Sequence, residues 1–194
     1  SASDFGTSGI IDVPSARMLD DGSLKATLSF QKIANITNIT YQATPWLQTT
    51  FRYTIFNPDN PIRNSSDVDG LNDRSYSVKL RMAKEGKYKP QIAIGVKDIL
   101  GTGAWGSEFI VASKKMNNFD ISMGFGWGRL SENNRIENPF SDKVISNIDG
   151  NYGGAYGGKL RSNSFFKGEY IGIFGGIDYK ISNSNFSFLA EYNS

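Results

Sequence analysis

The side chains able to do acid–base or nucleophilic chemistry in this chain are few in kind. Neither His nor Cys occurs among its 194 residues. That excludes Ser-His-Asp triads, Cys-His dyads, imidazole metal sites, disulfides, and zinc or iron–sulfur centres held by thiolates. The carboxylates Glu108, Asp120, Asp178 and Glu191 remain. A glycosidase needs two such groups at a set separation across the scissile bond, and nothing in their spacing provides it. Charge compensation for Lys and Arg is their commoner role. Residues 67–73, Asp-Val-Asp-Gly-Leu-Asn-Asp, gather oxygen ligands but not at the spacing of a calcium loop. Gly124-Phe125-Gly126-Trp127-Gly128 shares only its glycines with a phosphate loop, lacking the Lys-Ser/Thr and the strand–turn–helix setting. Asn-X-Ser/Thr matches at Asn35, Asn38, Asn64 and Asn185 are what chance supplies in so Asn- and Ser-rich a chain. The chain is read as non-enzymatic, with no catalytic residue, no cofactor and no metal.

The remaining candidates are charges placed by periodicity. Lys+Arg is 21 and Asp+Glu is 19, a balance that argues against a nucleic-acid partner. The strongest signal is alternation at period two. Phe119, Ile121, Met123, Phe125 and Trp127 alternate with Asp120, Ser122, Gly124 and Gly126. Residues 24–31, 47–55, 75–82 and 91–97 alternate in the same way. Side chains at every second position share one face of a strand, so each segment is a strand with one apolar and one polar face. Arg52, Lys79, Arg81 and Lys97 fall on the polar parity of three successive strands, and Asp120, Asp178 and Glu191 on that of later ones.

Residues 38–43, 107–114, 157–166, 170–181 and 186–192 complete about ten strands, many about as long as a tilted bilayer-crossing strand. Asp21-Gly22, Pro45, Glu85-Gly86, Gly101-Thr102-Gly103, Asn117-Asn118 and Asn183-Ser184 punctuate them. Short links alternate with two long polar segments, 57–73 and 131–156. Aromatics stand near strand ends at Trp46, Phe56, Tyr88, Trp105, Phe119 and Trp127, as an interfacial girdle requires. No run of 18 apolar residues exists, and a barrel needs none, because lipid sees only alternate positions. The expected fold is all-β, an antiparallel up-and-down transmembrane β-barrel, with residues 1–22 as a leading segment and 23–194 as the barrel. The alternative is a soluble sandwich or a lipocalin-like barrel that binds a small ligand and turns its apolar parity inward. In the membrane reading, Phe125 and Trp127 face lipid while the inward glycines keep lumen space open.

A set of linear motifs resembles the YjbH-like exopolysaccharide biosynthesis family. Its opening block is Gly9-Ile10-Ile11-Asp12-Val13-Pro14-Ser15-Ala16-Arg17-Met18, followed by Asp21-Gly22. Then come Tyr41-Gln42-Ala43-Thr44-Pro45-Trp46-Leu47, Phe51-Arg52-Tyr53-Thr54, Asp73-Arg74-Ser75-Tyr76, and residues 97–103 with Gly101 and Gly103. Residues 111–114, Gly126-Trp127-Gly128-Arg129-Leu130, Phe165-Phe166-Lys167-Gly168, Phe174-Gly175-Gly176 and Glu191-Tyr192 close the series. The blocks run in family order. The resemblance implies an outer-membrane barrel of a Gram-negative bacterium that serves production or export of an extracellular polysaccharide. Its partners would be outer-membrane lipid, the polymer, and other exopolysaccharide-assembly proteins. Members are longer and often carry a lipoprotein cysteine, so the chain is expected to be part of a larger barrel. No catalytic residue is implied.

The expectation for the lumen follows. Arg52, Lys79, Arg81 and Lys97, with Arg129 and Asp120 nearby, form either a track for an acidic polysaccharide or a salt-bridge network that fills a narrow barrel. A structural or adhesin-like barrel is the other functional class left open.

Overall fold

The computed structural model describes residues 9–10, 12–30, 34–56, 72–100, 106–131, 136–139, 165–184 and 186–193. Ten strands form: β1 Leu24–Phe30, β2 Ala34–Thr44, β3 Leu47–Phe56, β4 Asn72–Ala83, β5 Gln91–Lys97, β6 Ser107–Met116, β7 Phe119–Gly128, β8 Ile136–Glu137, β9 Tyr170–Lys180 and β10 Ser187–Asn193. All pairings are antiparallel and follow chain order from β1 to β7, then β9 and β10, while the two-residue β8 pairs only with β9. The up-and-down order is thus the expected one. The sheet is not closed, however: β1 and β10 are edges with no pairing to each other among the described residues.

Most strand bounds fall within a few residues of those read from alternation. β2 begins at Ala34 rather than Asn38, and Phe165-Phe166, expected in a strand, form a turn. The rest of that expected strand, 157–164, lies outside the described residues, as do Trp105, Gly101 and Gly103. The meander puts the β2–β3, β4–β5, β6–β7 and β9–β10 turns on one rim. The long segments after β3 and after β7 leave from the other. Asn117 and Asn183 take positive φ of 53° and 61°, which Asn tolerates in tight turns.

The two faces differ as the alternation predicts, with the apolar parity outward. Leu28, Phe30, Ile39, Ile55, Tyr76 and Phe125 are exposed, whereas Asn38, Thr40, Gln42, Gln48, Thr50 and Thr54 are buried. A lipocalin-like arrangement has the opposite polarity. Outward aromatics meet across strands, Phe51 on Tyr76 at 5.2 Å and Phe119 on Tyr179 at 4.6 Å between ring centres. Inward hydroxyls and amides meet likewise, Thr40 with Thr50 at 2.9 Å and Gln48 donating to Gln42 at 3.0 Å. Burying these four side chains is tolerable because each finds a partner.

Two expectations about β7 need correction. The inward glycines do not keep a lumen open. Phe109 lies where a side chain on Gly95 would go, Phe174 where one on Gly124 would go, and Leu130 where one on Gly126 would go. Trp127 is on the outward parity, yet it is only 3% exposed, because the ring of Phe166 packs edge-on against it at 5.2 Å. Its partner across the β6–β7 ladder, Glu108, is buried on the same outward parity. Phe125, by contrast, is exposed as expected.

Candidate functional site

The buried face of the sheet is polar, and a peptide crosses it. Residues 12–19 form no strand of the sheet. Isolated from a ladder, their backbone groups must find partners elsewhere, and the side chains of the polar face provide them. Glu191 of β10 accepts from the N–H groups of Asp12, at 3.0 Å, and Val13, at 3.2 Å. Ser113 of β6 accepts from Ala16 N–H at 2.8 Å. Gln91 of β5 donates to the Ala16 carbonyl at 2.5 Å. Lys79 of β4 donates to the carbonyls of Arg17 at 2.6 Å and Ser15 at 3.3 Å. Gln42 of β2 accepts from Leu19 N–H at 3.0 Å.

This route sets the curvature of the sheet. From β2 to β10 the path crosses seven strand spacings, about 34 Å if the sheet were flat. The backbone from Val13 to Leu19 reaches at most about 21 Å. The sheet must therefore curl toward the peptide, with Gln42 and Glu191 reaching inward to span the remainder. Beneath the peptide lies the apolar core: Ile10, Val13 and Ala16 pack with Ala93, Phe109, Val111, Leu130 and Phe174, and Leu189 of β10 borders them. Deleting side-chain volume at Gly95 and Gly124 makes room for the two rings that the peptide rests on.

At the short-turn rim, Arg17 latches the peptide. Its Nε and Nη2 grip Asp120 side-on at 2.8 and 2.7 Å, while Nη1 reaches Glu85 at 2.5 Å. Glu85 also accepts from the backbone N–H of Lys115 at 2.8 Å and pairs with Lys114 at 3.3 Å. Burial pushes the Glu85 carboxyl up. The Lys115 amide, the Arg17 guanidinium and the Lys114 ammonium outweigh that and hold it at about 2. Burial lowers the Arg17 value, but Asp120 and Glu85 more than offset it and raise it above the ordinary one.

The residues singled out from sequence fall as follows. Arg52, Lys79 and Lys97 share the buried polar face, and Arg81 lies on the same parity, half-buried near the rim. Arg52 pairs with Asp73 at 3.5 Å, with Asp98 and Arg129 close enough to act on it electrostatically. Lys97 stands 5.8 Å from the Phe109 ring centre. Arg129 opens a short 3-10 turn after β7 and donates its N–H to the Gly106 carbonyl at 3.1 Å. Asp120 and Asp178 face each other directly across β7 and β9. Glu191 shares their face one strand on. Asp73 lies inside β4, so one carboxylate of the 67–73 segment is committed to Arg52, and 67–71 lie outside the described residues.

The motif positions divide by role. Pro14, Ser15 and Ala16 are buried in the crossing peptide, and Arg17 is its latch. Trp46 is exposed in the β2–β3 turn, where its carbonyl accepts from Arg81 N–H at 2.8 Å. Arg74 stacks on Tyr53 on the outward face, 5.7 Å from its centre. Gly128 has φ of +64°, and a Cβ there would stand 2.5 Å from the Gly106 carbonyl oxygen. Only glycine fits. Sequence reading missed Glu85, Gln42, Gln91 and Ser113 as contacts of the peptide. The available signal was residues 12–19 themselves, a motif-dense stretch without period two that cannot be a strand and must pack on something.

Among the described residues no cluster of carboxylates is arranged to hold a metal ion. No described helix is long and apolar enough to cross a membrane, which leaves crossing by strands untouched.

Comparison with known proteins gives the family. The chain is 35% identical over 189 residues to an uncharacterized lipoprotein, YjbH, of Escherichia coli (strain K12), covering 93% of this chain and 26% of the relative. It thus spans about a quarter of that relative's length. No solved structure matches. The family model described as exopolysaccharide biosynthesis protein YbjH matches residues 1–194. With its motif blocks in order and the whole chain matched, this protein belongs to the YjbH exopolysaccharide biosynthesis family.

Proposed function

We propose that this chain forms one wall of an outer-membrane β-barrel in a Gram-negative envelope, and that the barrel serves production or export of an extracellular polysaccharide without catalysing a reaction on it. The observation that carries this reading is the polarity of the sheet. Its exposed face is rich in Leu, Ile, Phe and Tyr, and its buried face carries Asn, Gln, Thr, Ser, Arg and Lys around a small apolar core that includes Phe109, Val111 and Phe174. In water that arrangement is costly, since large apolar patches on soluble proteins are rare. Against lipid it is the favourable one, provided the sheet edges are paired. The lipoprotein relative supports an envelope location, and the family description supports a polysaccharide role. Partners are then outer-membrane lipid, the polymer and other assembly proteins.

Within this reading the buried cations take an acidic polymer. Arg offers a bidentate fork to a uronate or phosphate, and Lys79, which donates to peptide carbonyl oxygens here, can donate equally to a uronate carboxylate. The test replaces Arg52, Lys79, Arg81 and Lys97 together by Gln in the intact protein. Reduced polymer export or altered ion selectivity from a folded variant supports the track. A folded variant with undiminished export removes it, and a variant that cannot fold assigns the cations to the internal network. Deletion of the gene separates the remaining classes: loss of secreted polymer fits export, and loss of attachment with normal polymer fits adhesion.

A further inference from the structure

We propose that residues 12–19 are a withdrawable plug, which occupies the polar face of the barrel wall until the polymer displaces it. The inference rests on the membrane reading above. Its first support is chemical. The peptide takes the donors and acceptors that a hydroxyl- and carboxylate-bearing chain needs: Lys79 and Gln91 sit on its carbonyls, and Glu191 and Ser113 on its N–H groups. Peptide and polysaccharide compete for one set of partners.

The second support is the manner of attachment. Each strand of the main sheet is held by a ladder of backbone hydrogen bonds, whereas residues 12–19 meet the sheet through side-chain hydrogen bonds and a guanidinium latch. Segments with few ladder bonds are the ones that open locally at less than the cost of global unfolding. The latch is at the rim, where Arg17, Glu85 and Asp120 side chains are each about a quarter exposed. Water and competing ions can therefore reach it. The third is the apolar underside. Val13 and Ala16 are fully buried, which keeps the plug seated in the absence of a competitor.

The experiment uses the intact protein in planar lipid bilayers with potassium chloride as the conducted probe. Arg17→Gln removes the latch and leaves the polar face and the sheet ladders alone. The chain has no cysteine of its own, so Ala16→Cys with Ser113→Cys gives one cross-link, formed by oxidation. The R17Q variant is expected to raise the conducting fraction about tenfold over wild type. Introduced into the R17Q variant, the cross-link is expected to hold the protein closed, and dithiothreitol to open the oxidised form. Added polygalacturonate should block the R17Q conductance. The plug is overturned if wild type, R17Q and the cross-linked protein conduct alike, or if all insert and none conducts. If no form inserts into lipid, the membrane reading itself fails, a result separate from both.

Discussion

Arg17 is the residue on which the interior arrangement turns, because it ties a peptide with no ladder of its own to two different elements. One partner, Asp120, lies on β7, and the other, Glu85, in the β4–β5 turn. The Glu85 carboxyl, held at about 2, lies below the ordinary value of 4.5. A depressed carboxylate stabilises the folded state fully above its unfolded value and loses that contribution as pH falls through its folded one. Stability should therefore decline between pH 4.5 and about 2, and Glu85→Gln should flatten that part of the profile. At neutral pH the same substitution should cost roughly 1 kcal/mol after solvent screening, read from thermal unfolding in detergent. Asp73 offers a harsher case. It is 2% exposed beside Arg52, so Asp73→Ala removes the carboxylate that pairs with a buried cation and leaves Asp98 as the nearby one. A loss of about 3–5 kcal/mol is expected, and Arg52→Met in the same molecule should recover much of it.

Among the elements, β6, β7 and β9 are interlocked by alternating bulk and emptiness. Phe109 of β6 fills the place left by Gly95, and Phe174 of β9 that left by Gly124. A Cβ on Gly124 would stand 2.5 Å from the Phe174 ring and would also strike the Ile110 carbonyl oxygen, which cannot move without breaking the ladder. Gly124→Val should destabilise the sheet by about 2 kcal/mol or more, since overpacking next to backbone has no rotamer escape. The check is the shift between folded and heat-denatured bands on a gel. Gly86, with open space where a Cβ would go, is the control, and Gly86→Ala should leave the bands unmoved.

For the whole molecule, what matters is the medium that the outward face meets. Val78 lies mid-strand on that face, between Thr49 and Val96. If the face meets lipid near its midplane, Val78→Arg should cost about 2–4 kcal/mol. If it meets water, the same change should stay within about 0.5 kcal/mol. Equilibrium unfolding in vesicles distinguishes the two. The edges β1 and β10 carry Phe30 and Phe188 at 78% and 67% exposure and have no further strand beside them among the described residues. Such edges invite further strands, and in lipid they require them.

Nine of the ten described strands, their two faces and their chain-order meander were legible in the residues alone; the two-residue β8 lies in 131–156, read as a loop. Period-two alternation is a local property: which side a residue takes depends only on its parity, whatever the strand packs against. For the same reason Arg52, Lys79 and Lys97 could be put on one face before any pairing was known. Tertiary structure decided the rest. Whether inward glycines mean space or a seat for a ring depends on the strand next door, and Phe109 and Phe174 took that room. Trp127 kept its parity but lost its exposure to Phe166, a residue far along the chain. Residues 12–19 have no period, so nothing local says where they go. Their place across the polar face follows from partners on five strands, from Gln42 to Glu191, which come together only once the sheet has curled.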